Sequence, residues 1–139
     1  MPVASAQAPD AGSPSTAITT DRPAITDSSA VIPNKMFQAE NGWLDTGNQS
    51  RRTLDFPETL IRVGIGPSTE LRFTAPDYYQ DSMTSAGPRS GFGDFAAGIK
   101  QQLHGVPGGF EVAAVLSLSL PTGANAISTG GYDSSFQLP

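Results

Sequence analysis

The chain has 139 residues, enough for one domain of ordinary size, with 15% charged and 37% hydrophobic residues. Its net charge of −5 argues against nucleic acid as a partner, because phosphate binding needs a basic face. The absence of cysteine and the single histidine exclude disulfides, thiolate metal sites and most zinc sites, so we expect neither a metal nor a cofactor.

Residues 1–19 are similar to the end of a secretory signal followed by a flexible segment. Ala4-Ser5-Ala6 and Ala6-Gln7-Ala8 both fit the small-residue cleavage pattern, and a Pro/Ser/Gly-rich stretch follows. The charged and apolar regions of a signal are missing, so an ordinary Ala-rich disordered terminus is the alternative. We expect 1–19 to be a signal-peptide remnant and 20–139 to be the N-terminal half of a larger barrel.

From Ile32 onward, alternating segments separated by turn residues predict six β-strands. We place these strands at 35–44, 53–65, 69–75, 91–103, 110–120 and 132–138. Pro57 breaks the alternation within the second strand, which predicts a bulge or a strand entry there. The strictest alternation runs from Phe110 to Leu120 and indicates a strand between two different environments.

The connections between these strands alternate between long and short. We predict loops at 45–52, 76–89 and 121–130, and turns at 66–68 and 104–108. Outer-membrane barrels have short periplasmic turns and longer outer loops, and strands of about 9–11 residues cross the membrane. No apolar run approaches the length of about 20 residues that a spanning helix needs. The pattern therefore predicts an all-β protein, an antiparallel up-and-down transmembrane β-barrel of which about six strands are present.

Charged and large apolar side chains fall on opposite faces of the predicted strands. We expect the charged set to face an aqueous lumen: Glu40, Glu58, Arg62, Glu70, Arg72, Asp94, Lys100 and Glu111. We expect the apolar set to face lipid: Phe37, Ile61, Val63, Leu71, Phe73, Phe95, Ile99, Val112, Leu116, Leu118 and Leu120. A membrane barrel requires this separation, since a Lys or Arg facing lipid at the midplane costs roughly 2–4 kcal/mol.

Two smaller groups have two interpretations each. Glu58, Arg62, Glu70 and Arg72 should approach one another, either as a network that shapes a solute path or as ion pairs that fill a narrow barrel. The aromatic residues near strand ends on the long-loop side are Trp43, Tyr78, Tyr79 and Tyr132. They suit an interfacial aromatic girdle, although loop aromatics occur in any fold.

Several segments of the sequence resemble a known bacterial family. They are Thr20-Asp21-Arg22-Pro23-Ala24-Ile25-Thr26-Asp27-Ser28-Ser29, Phe37-Gln38-Ala39-Glu40-Asn41-Gly42, Pro57-Glu58-Thr59-Leu60-Ile61-Arg62-Val63-Gly64, Glu70-Leu71-Arg72, Ser90-Gly91-Phe92-Gly93-Asp94, Ser119-Leu120-Pro121-Thr122-Gly123 and Gly131-Tyr132-Asp133. The chain thereby resembles the transporter-like proteins of the putative "MetA-pathway of phenol degradation" family. The resemblance implies an outer-membrane barrel of about a dozen strands that passes small, often aromatic or apolar, compounds. It implies no particular site residues, and family members continue beyond the position where this chain ends at Pro139.

Two function hypotheses remain open at this point. The first is a channel or transporter-like protein in the bacterial outer membrane, with lipid and a small solute as partners and open strand edges that allow pairing with another copy. The second is a soluble β-barrel or sandwich that binds an apolar ligand inside, with its aliphatic face inward and its charges outward. We do not expect an enzyme, because a Ser-His-Asp site would have to rest on His104, in a predicted turn.

Overall fold

The computed structural model describes residues 20–21, 27–48, 51–83 and 87–139, and these residues form an all-β protein. The strands within these ranges are β1 (Phe37–Glu40), β2 (Leu44–Gly47), β3 (Arg51–Phe56), β4 (Leu60–Gly64), β5 (Thr69–Thr74), β6 (Tyr78–Met83), β7 (Gly87–Phe92), β8 (Phe95–Leu103), β9 (Val112–Leu120) and β10 (Asp133–Gln137). Within the same ranges, no helix has the length and apolar character that crossing a membrane requires. The predicted signal remnant at 1–19 lies outside the described residues.

The strands form two antiparallel sheets, and several extended segments of the chain continue from one sheet into the other. The six-stranded sheet has the order β1-β4-β5-β8-β9-β10, and the four-stranded sheet has the order β2-β3-β6-β7. Short breaks separate β1 from β2, β3 from β4, β5 from β6 and β7 from β8. Backbone hydrogen bonds continue through these breaks, as between Gly42 N and Glu58 O at 3.0 Å and between Gly93 N and Asp77 O at 2.8 Å. The chain is therefore an up-and-down meander whose first four long strands each contribute to both sheets.

The predicted antiparallel all-β meander is confirmed, whereas a closed barrel is not seen in the described part of the chain. β1 and β10 form the two edges of the six-stranded sheet and do not pair with each other. The interruption predicted at Pro57 is confirmed, because residues 57–59 separate β3 from β4.

Two of the predicted loops were wrong. Residues 45–52 lie mostly in β2 and β3, which pair with each other, and residues 76–89 contain β6 and the start of β7. Polar or small residues predominate in these strands, as in the pairing of Arg52 with Ser82, so no apolar alternation runs along them. Their backbone pairing with neighbouring strands specifies them instead. Residues 121–130 contain no strand, as predicted.

One face of the six-stranded sheet is apolar. The strand register aligns one row across all six strands: Phe37, Val63, Leu71, Ile99, Leu116 and Phe136. A second row follows: Ala39, Ile61, Phe73, Ala97, Leu118 and Ser134. Every residue predicted to face lipid lies on this face, and side chains such as Phe37 (64%) and Leu116 (55%) are widely exposed. We call it the apolar face.

The opposite face, called here the inner face, is polar and is covered by the chain before β1. Its central row is Gln38, Arg62, Arg72, Gly98, Ser117 and Ser135. Ile32 is buried against this face, and Gly64 allows the close approach, because a Cβ there would collide with the carbonyl oxygen of Pro33. The largest fully buried side chains among the described residues are Arg62, Lys100, Glu70 and Asp81. The interior therefore consists largely of paired charges.

Candidate functional site

Arg62 connects the charged residues of the inner face. Its guanidinium donates two hydrogen bonds to Glu70, from Nε to Oε1 and from Nη2 to Oε2, both at 2.9 Å. Nη1 lies 3.1 Å from Oε1 of Glu40, and Nη2 donates to the carbonyl oxygen of Ala30 at 3.0 Å. Arg62 on β4 thus joins β1, β5 and the N-terminal segment. Paired, two-pronged contacts of this kind are among the strongest that arginine makes.

Asp21 is the second centre of this network, and it comes from outside the sheet. Its Oδ2 lies 2.7 Å from Arg72 Nη1, 3.1 Å from Lys100 Nζ and 3.5 Å from Arg62 Nη1. Its Oδ1 accepts a hydrogen bond from the Ser28 amide at 2.9 Å. Burial raises the pKa of Asp21, but the Ser28 hydrogen bond and the charges of Arg62 and Lys100 outweigh it, so the pKa lies below its ordinary value.

The sequence alone did not identify Asp21. Seventy-nine positions separate it from Lys100, and its own segment shows no periodicity. The signal that could have drawn attention to it was its place at the start of the family resemblance, in Thr20-Asp21-Arg22-Pro23.

The network balances its charges almost completely. Three cations, Arg62, Arg72 and Lys100, meet four carboxylates, which belong to Asp21, Asp27, Glu40 and Glu70. The backbone amides of Asp21 and Ile32 donate further hydrogen bonds to Glu40 and Glu70, at 2.8 and 2.7 Å. This completeness matters because an unpaired charge in such a buried position would cost several kcal/mol. The sheet alone supplies three positive and two negative side chains, and the N-terminal segment supplies the remaining carboxylates.

An open cavity of about 820 Å³ lies beside the network on the inner face. Asp21, Asp27 and Arg72 form part of its wall. Small or polar residues form much of the remainder: Thr74, Ala96, Gly98, Ser117, Ser135 and Gln137. Their short side chains leave the space open, and its volume is in the range of small-molecule sites.

Four aromatic rings form a row where the two sheets meet. Ring centroids are 6.5 Å apart for Trp43 and Phe56, 5.9 Å for Phe56 and Tyr78, and 5.5 Å for Tyr78 and Phe92. The alternation of Phe37 and Ala39 continues to Trp43, which puts this aromatic row on the same side as the apolar face.

The aromatic row differs in part from the predicted set. Tyr79 lies on the other face of the four-stranded sheet, since it shares a row with Asp55 and Gly91. Tyr132 is exposed just before β10. Phe56 and Phe92 complete the row instead.

One comparison with known proteins decides the family of the chain. The family model described as "Putative MetA-pathway of phenol degradation" matches residues 20–138. The chain belongs to this family. No curated protein and no solved structure matches the chain. The match includes Asp21 and extends past the end of β10, so the phenol-degradation family region contains the network, both sheets and all of the cavity lining except Pro139.

The structure brings together five of the charged residues that the sequence grouped on one face: Glu40, Arg62, Glu70, Arg72 and Lys100. Glu58 lies in the break between β3 and β4 and lines the cavity. Glu111 is exposed and precedes β9, so it does not join the network. These residues therefore form ion pairs, and the paired charges adjoin the open cavity of this family member.

Asp94, also predicted to face a lumen, holds the loop at 121–130. Its carboxylate accepts hydrogen bonds from Gly123 N at 2.7 Å, Ser128 Oγ at 3.0 Å and Thr129 N at 3.2 Å. The Gly123 amide and the Ser128 hydroxyl keep the pKa of Asp94 below its ordinary value. Gly91 on β7 allows this loop to pack closely against the sheet, because a Cβ at position 91 would lie 2.5 Å from the Cβ of Ala124.

A second ion pair lies on the four-stranded sheet. The buried carboxylate of Asp81 accepts two hydrogen bonds from Arg51, at 3.0 and 2.8 Å, and Arg89 Nη2 lies 3.6 Å away. The Arg51 hydrogen bonds and charge lower the pKa of Asp81. Asp81 is not one of the predicted site residues, because it falls within 76–89, where the sequence pattern predicts a loop.

Proposed function

We propose that this member of the phenol-degradation family belongs to an outer-membrane channel or transporter-like barrel that passes small solutes, aromatic or apolar ones among them. The observation that carries the proposal is the distribution of side chains in the six-stranded sheet. Charged side chains are buried on the inner face, and large apolar side chains are exposed on the other. Contiguous apolar surface of this extent on a soluble protein normally marks an interaction site, and lipid is the partner that suits a flat apolar sheet.

The aromatic row supports the same orientation. Trp and Tyr favour the boundary between hydrocarbon and water, and barrels carry aromatic girdles at this depth. Trp43 and Tyr78 lie where the apolar rows of the six-stranded sheet end and the polar four-stranded sheet begins. In the proposed arrangement the six-stranded sheet spans the bilayer, and the four-stranded sheet projects beyond it on the loop side.

The alternative, a soluble protein that binds an apolar ligand, requires the opposite distribution. Its aliphatic residues would be enclosed and its charged residues would be in water. In the described residues Arg62 and Lys100 have no exposed surface, whereas Leu116 is 55% and Leu118 is 43% exposed.

The test compares two adjacent positions on β10, about 3.3 Å apart along the strand. Phe136 lies on the apolar face and Ser135 lines the cavity. In a Trp43→Phe background, which removes the single native tryptophan, Phe136→Trp and Ser135→Trp each introduce one fluorophore. Each variant is reconstituted into vesicles that contain lipid brominated at mid-chain.

We expect strong quenching of the tryptophan at position 136 and much weaker quenching at position 135, because only the first contacts acyl chains. Equal quenching at the two positions, or none at either, would contradict the proposal. Solute passage is measured separately as the ionic conductance of planar bilayers that contain the unmodified chain, with protein-free bilayers as the control.

A further inference from the structure

We propose that Arg62, Arg72 and Lys100 form a carboxylate-binding site that Asp21 occupies in this structure and from which a carboxylate-bearing solute displaces it. The identification of the displacing molecule as a transported solute rests on the function proposed above. The existence of the site does not, because it follows from the geometry and the charges of the inner face.

The first argument is the convergence of three cations on one oxygen atom. Arg62, Arg72 and Lys100 project from the neighbouring strands β4, β5 and β8, and their nitrogen atoms lie 3.5, 2.7 and 3.1 Å from Oδ2 of Asp21. Two guanidinium groups and one ammonium group around a single carboxylate match the donors that proteins use to bind carboxylates. Asp21 itself shows that a carboxylate fits this position.

The second argument is the charge of the site without its occupant. Without Asp21, three carboxylates remain in the network and all of them contact arginines: Glu40 and Glu70 contact Arg62, and Asp27 contacts Arg72. Among the described residues, Asp21 is the one carboxylate within 4.0 Å of Lys100 Nζ. A buried ammonium group without a counter-ion is strongly unfavourable, so the vacated site would attract a monoanion.

The third argument is access from the cavity. Asp21 and Arg72 line the open space of about 820 Å³, so a molecule in this space reaches the site without crossing the sheet. The adjoining wall at Thr74, Ala96 and Gly98 is uncharged and has short side chains. This wall leaves room for the uncharged part of a molecule whose carboxylate contacts the cations. The ligand class is therefore a small organic monocarboxylate.

Asp21 should weaken the binding of such a ligand in the unmodified protein. A covalently tethered group competes with a free ligand at an effective concentration that its tether sets. Removal of its carboxylate should therefore expose a site with higher apparent affinity. This prediction separates a binding site from an ion network that only stabilises the fold, which would lose stability without gaining affinity for an anion.

The experiment is chemical rescue of Asp21→Ala in the full chain, refolded in detergent micelles. Thermal unfolding is followed during titration with sodium acetate, with sodium chloride at equal ionic strength and with neutral acetamide. We expect acetate to raise the Tm of Asp21→Ala in a saturable manner, with an apparent Kd at least tenfold below that of the unmodified protein. Chloride and acetamide should have little effect. Asp94→Ala is the matched control, because it removes a carboxylate that contacts the loop at 121–130 and none of the three cations, and it should respond as the unmodified protein does.

Equal responses to acetate and chloride, or equal apparent Kd values for Asp21→Ala and the unmodified protein, would overturn the proposal. If Asp21→Ala does not refold in chloride, the refolding yield becomes the measurement. Recovery of folding in acetate supports the site, and failure in both salts overturns it. Acetate binding in micelles does not depend on solute passage, so the loss of bilayer conductance would reject the proposed function and leave the carboxylate site intact.

Discussion

Leu116→Arg tests the membrane orientation most directly, because it introduces a charge at the centre of the apolar face. Leu116 is the middle residue of the nine in β9, and its row neighbours are Ile99 and Phe136. Nine residues at about 3.3 Å each extend roughly 30 Å along the strand, which a tilt of roughly 45° reduces to about 21 Å across the bilayer. This height is close to the apolar band of about 25 Å in outer-membrane barrels. Leu116 should therefore lie near the bilayer midplane.

The expected cost follows from this depth. An arginine that faces lipid at the midplane costs roughly 2–4 kcal/mol, and near the interfaces the cost falls to about 0–1 kcal/mol. At about 1.4 kcal/mol for each factor of ten, Leu116→Arg should lower the ratio of folded to unfolded protein roughly 30- to 700-fold. Val112→Arg and Leu120→Arg, at the two ends of the same strand and on the same face, should change this ratio much less.

The assay is urea unfolding of vesicle-embedded protein, followed by Trp43 fluorescence and by the heat-modifiable gel mobility of folded barrels. Ser117→Arg is the opposite-face control, since Ser117 lines the cavity and an arginine there can reach water. We expect Ser117→Arg to assemble much better than Leu116→Arg. Equal losses at 112, 116 and 120, or a loss for Ser117→Arg as large as that for Leu116→Arg, would refute the reasoning.

Three further predictions concern the charged groups. Arg62→Met should lower the free energy of unfolding by about 3–5 kcal/mol, measured with urea, because it leaves buried carboxylates without their guanidinium. The pKa of Asp21 in the folded protein lies below 3.8, so its ionised carboxylate stabilises the fold above pH 3.8, and this stability is lost as the pH falls through the folded-state pKa. The urea midpoint of Asp21→Asn should therefore decline less below pH 3.8 than that of the unmodified protein. Asp94→Ala should accelerate amide hydrogen exchange at Gly123 and Thr129 while the β9 amides keep their rates, and unchanged rates at both loop amides would contradict the role of Asp94.

The sequence predicted strands well where one face had to be apolar. β8 and β9 alternate over nine residues each, and the predicted segments 91–103 and 110–120 contain them. Alternation did not predict β6 or the start of β7, where polar and small residues predominate on both faces. Alternation carries no information when neither side of a strand is apolar, and these strands exist because their backbone groups pair with neighbours.

The candidate site was predictable to a similar degree. The alternation of side chains along each strand, with its period of two, was enough to place one group of charged residues on a common face: Arg62, Glu70, Arg72 and Lys100. Alternation could not distinguish these residues from Asp94 and Glu111. Both are predicted on the same face of the sheet, but they lie outside the strands. The positions at which strands begin and end depend on turn geometry and loop packing, and the alternation of side chains carries no information about either.

The sequence by itself determined which side chains share a face of the six-stranded sheet, since this follows from local backbone geometry. Only the tertiary structure decided what covers the charged face. It brings Asp21 into contact with Lys100 across 79 positions of chain, although neither residue's neighbours show the connection. The physical reason is that three cations beside two carboxylates attract a further anion from any segment that can reach them, and strand periodicity does not reveal which segment that is.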